Sequence, residues 1–566
     1  MSRRHFEIGV LSWTVLTVIG WGADLYWHQA LVAPWLRALF LGRVQPTVWA
    51  VLHALPIGTW AIAMIAVAPA AVIGYVVGLS EENEDEHRRG AQMTSADRLA
   101  KKIAPENEAG APVETRLALA GIPMPDEIET QHVLIAGGIG TGKSTLLRAL
   151  APLIRRRGER AVIIDPGGEM LAKYWQKGDA ILNALDARSE GWSPFAEMDV
   201  SSDSARIAKT LFPDIDGAPE AQQWQHYSQA LTSAVLRRLF ESGNATNASL
   251  LHMLTIAGRN ELGPLVEGLP ATRLFGEGSE KMLSNALAII GLALDPISYL
   301  PPHIGTGAWS LRRWVESGEG WLWLPYRTGD RALLAPLICG QIGELVSATL
   351  MLRPSAERRI WLLLDELAAL GRIQALGDAL AQGRRFGLCA VGAVQTIAQL
   401  REKYGAYGAQ ALLACFSSQI ILRTPDPETA SWCSQLLGQR QIKRTVESSG
   451  TGGGGSHTGE SEQITIEPLV LPSEIQNLPK LHAYLKYAGS WPVARITIPI
   501  PPKAPEVCPP FVPVGSANPV ATAEAPATIA TTAQVDTAPA PVPAAPDPDA
   551  ALTEQFRKLL LGEKAK

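Results

Sequence analysis

The stretch Val133–Leu150, VLIAGGIGTGKSTLLRAL, leaves a folding chain little choice. Val133 to Ala136 reads as a short buried strand, the glycine-rich run after it as a tight loop, and the residues from Lys143 on as an apolar-periodic helix. A strand that feeds a helix through so short a turn starts an α/β layer. Gly137, Gly142, Lys143 and Ser144 also stand at the fixed positions of the phosphate-binding loop pattern. In that pattern the backbone N–H groups of Gly137, Gly138, Ile139, Gly140, Thr141, Gly142, Lys143, Ser144 and Thr145 wrap phosphate oxygens at a distance where Cβ atoms would collide. The helix N-terminus adds partial positive charge. Lys143 is placed to reach the β- and γ-phosphates and the Ser144 hydroxyl to ligate a metal, so ATP with Mg²⁺ is the expected pair.

A second stretch, RRIWLLLDEL, makes Ile360–Leu364 a buried strand with two carboxylates at its C-terminal end, where open α/β sheets place their ligands. Asp365 is expected to hold the metal with Ser144, and Glu366 to polarise a water that attacks the γ-phosphate. Such an Asp-Glu pair belongs to NTPases that do work by hydrolysis. Gln395 ends the strand LCAVGAV and is expected to sense the γ-phosphate. Arg384 and Arg385, in GRRFG, are candidates for bidentate phosphate contact, one of them reaching a neighbouring subunit's ATP.

Ahead of this domain, Gly58 to Leu79 carries no charge and is long enough to span roughly 30 Å of hydrocarbon. Ile8 to Ala23 is also uncharged and can span if it continues to Tyr26 and Trp27 at the interface. Arg3 and Arg4 before the first segment and Arg88, Arg89 and Arg98 after the second outweigh Arg37 and Arg43 between them. That bias predicts a two-span stem over residues 1–82, multi-pass in the bacterial inner membrane, with both termini cytoplasmic.

Residues 83–128 read as a linker and lead-in. The nucleotide-binding α/β domain is expected over 129–200 and 301–500, split by an all-α segment at 201–300 whose sequences AQQWQHYSQALTSAVLRRLFE and SEKMLSNALAIIGLAL carry helical periodicity. ESSGTGGGGSHTGES, Glu447 to Ser461, is expected to be a mobile surface loop, and 501–566 a disordered Pro/Ala-rich tail with a short terminal helix. The formal net charge of −5 gives the chain as a whole no nucleic-acid footprint, though a basic groove or pore remains compatible with it. Five cysteines without metal-ligand spacing read as buried free thiols.

The motifs GGIGTGKST, VIIDPGGEM, LLLDELAALGRI, GRRFG and VQTIAQLREKYG, in that order behind two N-terminal spans, resemble the coupling proteins of type IV secretion and conjugation, the TraD/TraG/TrwB-like ATPases. The resemblance covers roughly residues 8–500, and Gly167 in DPGGE departs from the lysine that relatives often carry there. It implies a RecA-like P-loop NTPase motor domain with an inserted all-α domain, assembled as a homo-oligomeric, hexameric ring on a membrane stem. It further implies a DNA-translocating ATPase that binds DNA without regard to sequence and works with relaxase or relaxosome proteins and type IV secretion channel subunits. Two other readings stay open: a DNA translocase of the FtsK/HerA kind, and a substrate-docking receptor whose ATPase is secondary.

Overall fold

The computed structural model describes residues 86–107, 117–215, 218–452 and 455–515; the two apolar N-terminal segments and most of the Pro/Ala-rich tail lie outside them. The strands run, in chain order, β1 (Glu86–Gly90), β2 (Met93–Ser95), β3 (Ala118–Leu119), β4 (Ile122–Pro123), β5 (Val133–Ala136), β6 (Arg160–Pro166), β7 (Ala180–Ile181) and β8 (Leu322–Tyr326). They continue with β9 (Ile360–Leu364), β10 (Leu388–Val394), β11 (Ser418–Leu422), β12 (Gln439–Gly452), β13 (Gly455–Pro468), β14 (His482–Lys486) and β15 (Val493–Thr497). One large sheet has the order β2-β15-β14-β11-β5-β10-β9-β6-β8-β7. From β11 to β7 its strands are parallel, whereas β14 and β15 add antiparallel strands and β2 pairs in parallel with β15. Strands β5, β8, β9, β10 and β11 are buried at every position, as parallel strands covered on both faces must be.

On one face Val133, Ile135, Ile163 and Leu363 pack against α1 (Ala96–Asn107) and α2 (Lys143–Arg156). On the other, Leu134, Ile164, Leu324 and Leu362 join the core of α8 (Arg331–Met351) and of a helical segment between β7 and β8. A short helix, α3 (Glu169–Tyr174), follows β6. The helical segment contains α4 (Asp203–Leu211), α5 (Pro219–Glu241), α6 (Glu280–Leu294) and α7 (Leu311–Ser317). Its Leu231, Val235, Ile290 and Leu294 share one continuous core with the sheet residues Leu134 and Leu362. The buried Glu197 ties the segment down: it accepts hydrogen bonds from Trp192 Nε1 at 2.9 Å, Ser310 Oγ at 3.1 Å, Leu311 N at 2.8 Å and Arg312 N at 3.0 Å. A carboxylate there also complements the positive end of α7. Glu280–Tyr299 and Thr328–Met351 are apolar and long enough to cross a membrane, but both contribute core side chains to this body.

Three further helices, α9 (Gln374–Gln382), α10 (Ile397–Ala414) and α11 (Pro427–Leu437), follow β9, β10 and β11. His132, just before β5, has φ of +60° and bridges two of these layers. Its Nδ1 accepts from Ala390 N at 3.1 Å, so Nε2 carries the proton and donates to Leu380 O at 2.9 Å.

Two segments differ from the reading of the sequence. Glu447–Ser461 does not form an irregular loop: β12 and β13 pair in register from Gln439↔Pro468 out to Gly452↔Gly455, carrying the glycine run into a long hairpin. The ladder is set by the alternating QIKRTVE and EQITIEP flanks, and once register is fixed there the glycines gain backbone hydrogen bonds that offset their lost freedom. The start of the Pro-rich region is also ordered. Val507 N donates to Ala172 O at 2.7 Å, Arg188 Nη1 to Pro509 O at 2.7 Å, and Ala187 N to Val512 O at 2.7 Å. Residues 507–512 thus form a strap across α3. A Cβ on Gly168, which has φ of +69°, would stand 2.8 Å from Pro510 O.

Candidate active site

The glycine loop hangs from the C-terminal end of the sheet. Gly137 N donates to Val394 O at 3.1 Å and Gly138 N to Arg423 O at 2.9 Å, while the Thr141 hydroxyl closes the loop onto Gly138 O at 2.8 Å. Gly140 and Gly142 take φ of +70° and +126°, values a side chain would resist. No side chain caps the N-terminus of α2, so its first N–H groups are left for an anion. Ile139 is exposed at the loop tip. Lys143 Nζ donates to Gly137 O at 2.8 Å and Gly138 O at 2.9 Å, holding its ammonium over the concave side of the loop.

Because β10 lies beside β5 and β9 beside β10, all parallel, the polar residues that follow β9 and β10 come to the sheet edge of the glycine loop, where the Asp365 and Glu366 carboxylates act on Lys143. Ser144 Oγ donates to both oxygens of Asp365, at 3.1 and 2.9 Å. Gln395 Nε2 donates to Glu366 Oε2 at 3.1 Å. Burial pushes both carboxyls above the ordinary range; the Ser144 hydrogen bond and the Lys143 charge oppose that for Asp365, and the Lys143 charge for Glu366. Burial likewise lowers the Lys143 ammonium, against the pull of the two carboxylates. The arrangement is a cation between two acids, one already paired with the hydroxyl expected to share its metal. A glycine cradle, an uncapped helix N-terminus and a hydroxyl-carboxylate pair are the donor set of a magnesium nucleotide.

Three other groups at this end were given no role by the reading of the sequence, although Asp165 lies in its VIIDPGGEM motif. Asp165, the last but one residue of β6, is buried, accepts from Leu171 N at 2.7 Å, and is pushed by that burial up to about 7. Arg148, one turn after Ser144, donates to Ser144 O at 3.1 Å and reaches Glu169 at 3.4 Å. Tyr326 closes β8 with its ring buried and its hydroxyl without a hydrogen-bond partner. Parallel strands put the residues ending AVII and WLWLP at the same edge as Asp365, which is the signal that could have found the first and third.

Arg384 and Arg385 do not join this cluster. They lie in a single 3₁₀ turn, Gly383–Phe386, ahead of β10 and therefore at the N-terminal end of the strands, opposite the glycine loop. Both are exposed and line a cavity of about 980 Å³ with Asp126, Glu127, Thr130 and Arg359.

The profile of the type IV secretion-system coupling protein DNA-binding domain matches residues 116–499. The coupling protein TraD of Escherichia coli (strain K12) is 26% identical over 457 residues, which are 78% of this chain and 62% of TraD; the chain thus spans less than two thirds of that relative's length. A solved structure of the conjugative coupling protein TrwB, TrwBdeltaN70 in an unbound form, superposes with a TM-score of 0.69 at 34% identity, covering 75% of this chain and 97% of that one. TrwB in complex with ADP and Mg²⁺ superposes with a TM-score of 0.68 at 33% identity, over 75% of this chain and 97% of that one.

Proposed function

The chain belongs to the family of type IV secretion-system coupling proteins, and on that premise we propose that it is a membrane-anchored ATPase that moves DNA toward a secretion channel during conjugation. The observation that carries the reading is the convergence of Lys143, the Ser144–Asp365 pair and the Gln395–Glu366 pair on one uncapped helix N-terminus. The N–H groups of Gly138 to Thr145 bind the phosphates, and Lys143 leaves its two carbonyl partners to meet the β- and γ-oxygens. Ser144 and Asp365 would hold a Mg²⁺, which when bound would supply charge neutralisation at the phosphates. Glu366, oriented by Gln395, takes a proton from a water aligned with the γ-phosphate. The half-buried carboxylate suits that work because its raised proton affinity brings it toward the operating pH.

Arg384 sits in the turn before β10, at the opposite end of that strand from the same chain's nucleotide, so it acts on a neighbour's in a ring, for which we take six subunits. Residues 1–82 form the two-span inner-membrane stem and the tail beyond 515 is an arm for partner contact. DNA, relaxosome proteins and channel subunits are the partners, with DNA held by phosphate contacts alone.

The test is DNA-stimulated ATP hydrolysis by the full-length protein, with Lys143→Ala as the control. Binding of unrelated DNA sequences should be equal and should weaken steeply with salt, as counterion release requires. Equal activity of Lys143→Ala, or DNA affinity that hardly changes between low and high salt, would overturn the reading.

A further inference from the structure

Among the described residues three that are not glycine take a positive φ, and Leu481, at +64°, is one of them. A leucine resists that backbone and keeps it only where its surroundings dictate it. Here the surroundings are the phosphate loop. Leu481 stands just ahead of β14 and Ile498 just after β15. Because β14 runs antiparallel to β11 and β15 antiparallel to β14, both residues come to the sheet edge from which the loop hangs. Leu481 N donates to Thr141 O at 3.3 Å, and Leu481 O accepts from Ile498 N at 2.7 Å. The leucine side chain packs against the loop as well. A Cβ on Gly142 would stand 3.0 Å from Leu481 Cδ2 and 3.4 Å from Ile498 Cδ1.

The bond to Thr141 O decides which way one peptide of the loop faces. In a trans peptide the C=O and the following N–H point in opposite directions. Thr141 O turned toward Leu481 therefore sends the Gly142 N–H the other way, to the side of the loop where phosphates bind. That N–H is the last donor before α2 begins at Lys143. Were the peptide reversed, a carbonyl oxygen would meet the phosphates where a donor is needed. Glycine at 142, with φ of +126°, has the freedom for such a reversal. The Thr141 hydroxyl does not prevent it, because it is bonded to Gly138 O.

We propose that Leu481 is a positioning residue for nucleotide binding: its backbone N–H holds the Thr141–Gly142 peptide in the orientation that presents Gly142 N–H to the phosphates. The left-handed backbone is what aims this N–H at Thr141 O while the Leu481 carbonyl stays bonded to Ile498. Leu481 touches neither nucleotide nor metal in this arrangement. It acts on phosphates and is indifferent to the base. The inference rests on the ATPase reading above.

The experiment measures affinity for Mg·ATP, Mg·GTP and Mg·ADP, steady-state ATPase, and thermal unfolding without nucleotide, all in the full-length protein. Replacing Leu481 by its α-hydroxy acid turns the N–H into an ester oxygen and keeps the side chain. This variant should bind all three nucleotides about 3- to 10-fold more weakly, the scale of one hydrogen bond. KM for ATP should rise by the same factor at unaltered kcat, since bound phosphates restore the peptide's orientation. Between side-chain variants, Leu481→Ala should lose more affinity than Leu481→Gly, because glycine takes the left-handed backbone freely and alanine does not. Wild-type affinity in the ester variant, a loss confined to one base, the reverse order of the alanine and glycine variants, or a lower Tm with affinity intact would each overturn the proposal while leaving the ATPase reading in place. Nucleotide binding by Lys143→Ala as tight as by the wild type would overturn both.

Discussion

Arg384→Ala should separate catalysis within one chain from catalysis across an interface. The turn that carries Arg384 precedes β10, and Gln395 follows that strand. Seven residues of strand, Leu388–Val394, put roughly 23 Å between the two at about 3.3 Å per residue. No arginine spans that, so in dilute, unassembled protein Arg384→Ala should hydrolyse ATP as slowly as the wild type does. In the assembled state the loss should be on the order of 10³, or about 4 kcal/mol of barrier, the scale of an arginine finger. The assay is ATPase activity across protein concentration with DNA present, followed by mixing with Lys143→Ala. In a randomly mixed head-to-tail ring, half the sites keep an intact P-loop and half of those adjoin a subunit that supplies Arg384, so activity should return to about one quarter of wild type. An equal loss in the unassembled protein, or no return of activity in mixtures that assemble normally, would refute the reasoning.

Asp365→Ala should weaken Mg·ATP binding and hydrolysis together, whereas Glu366→Gln should bind normally and hydrolyse about 10² to 10⁴ more slowly; nucleotide titration and single-turnover kinetics distinguish them. The His132 imidazole is held at about 4 chiefly by burial, so its contribution to stability is complete above pH 6.5 and is lost as pH falls from 6.5 toward 4, by roughly 3 kcal/mol. Urea unfolding across that window should show a pH slope about one proton smaller in His132→Gln than in wild type. Gly168→Ala meets both its left-handed backbone and Pro510 O, and should loosen the strap at a cost of about 1–3 kcal/mol, read as faster proteolysis between 500 and 514 with little change in the rest of the chain.

The central strands were legible because each is a continuous apolar run that can be satisfied only inside a parallel sheet; VLIA, WLLL and LCAVGAV need no distant information to be recognised. The ends of the same runs pointed to Asp365, Glu366 and Gln395, and the glycine pattern after VLIA pointed to Lys143 at the start of α2. Their pairwise contacts were not legible: that Gln395 holds Glu366 depends on β10 lying next to β9, which is a matter of sheet order. Strands β14, β15 and β2 escaped notice because HAYLK, VARIT and MTS are short and mixed in polarity, and each becomes a strand by pairing with a neighbour formed elsewhere. Asp165 stands in a recognisable motif and Tyr326 looks ordinary in the sequence, and only the assembled strand ends set the two near the other acids.

The route of the backbone into the sheet has a mechanical consequence. A pull entering at Glu86 passes through β1 to β12 and through β2 to β15, and from β15 it crosses β14 and β11 to reach β5, the strand from which the phosphate loop hangs. Each step of that path is a pair of neighbouring strands, so the load reaches the loop only through inter-strand hydrogen bonds. Tension from the N-terminal side and the grip on a nucleotide are thus borne by the same stiff sheet.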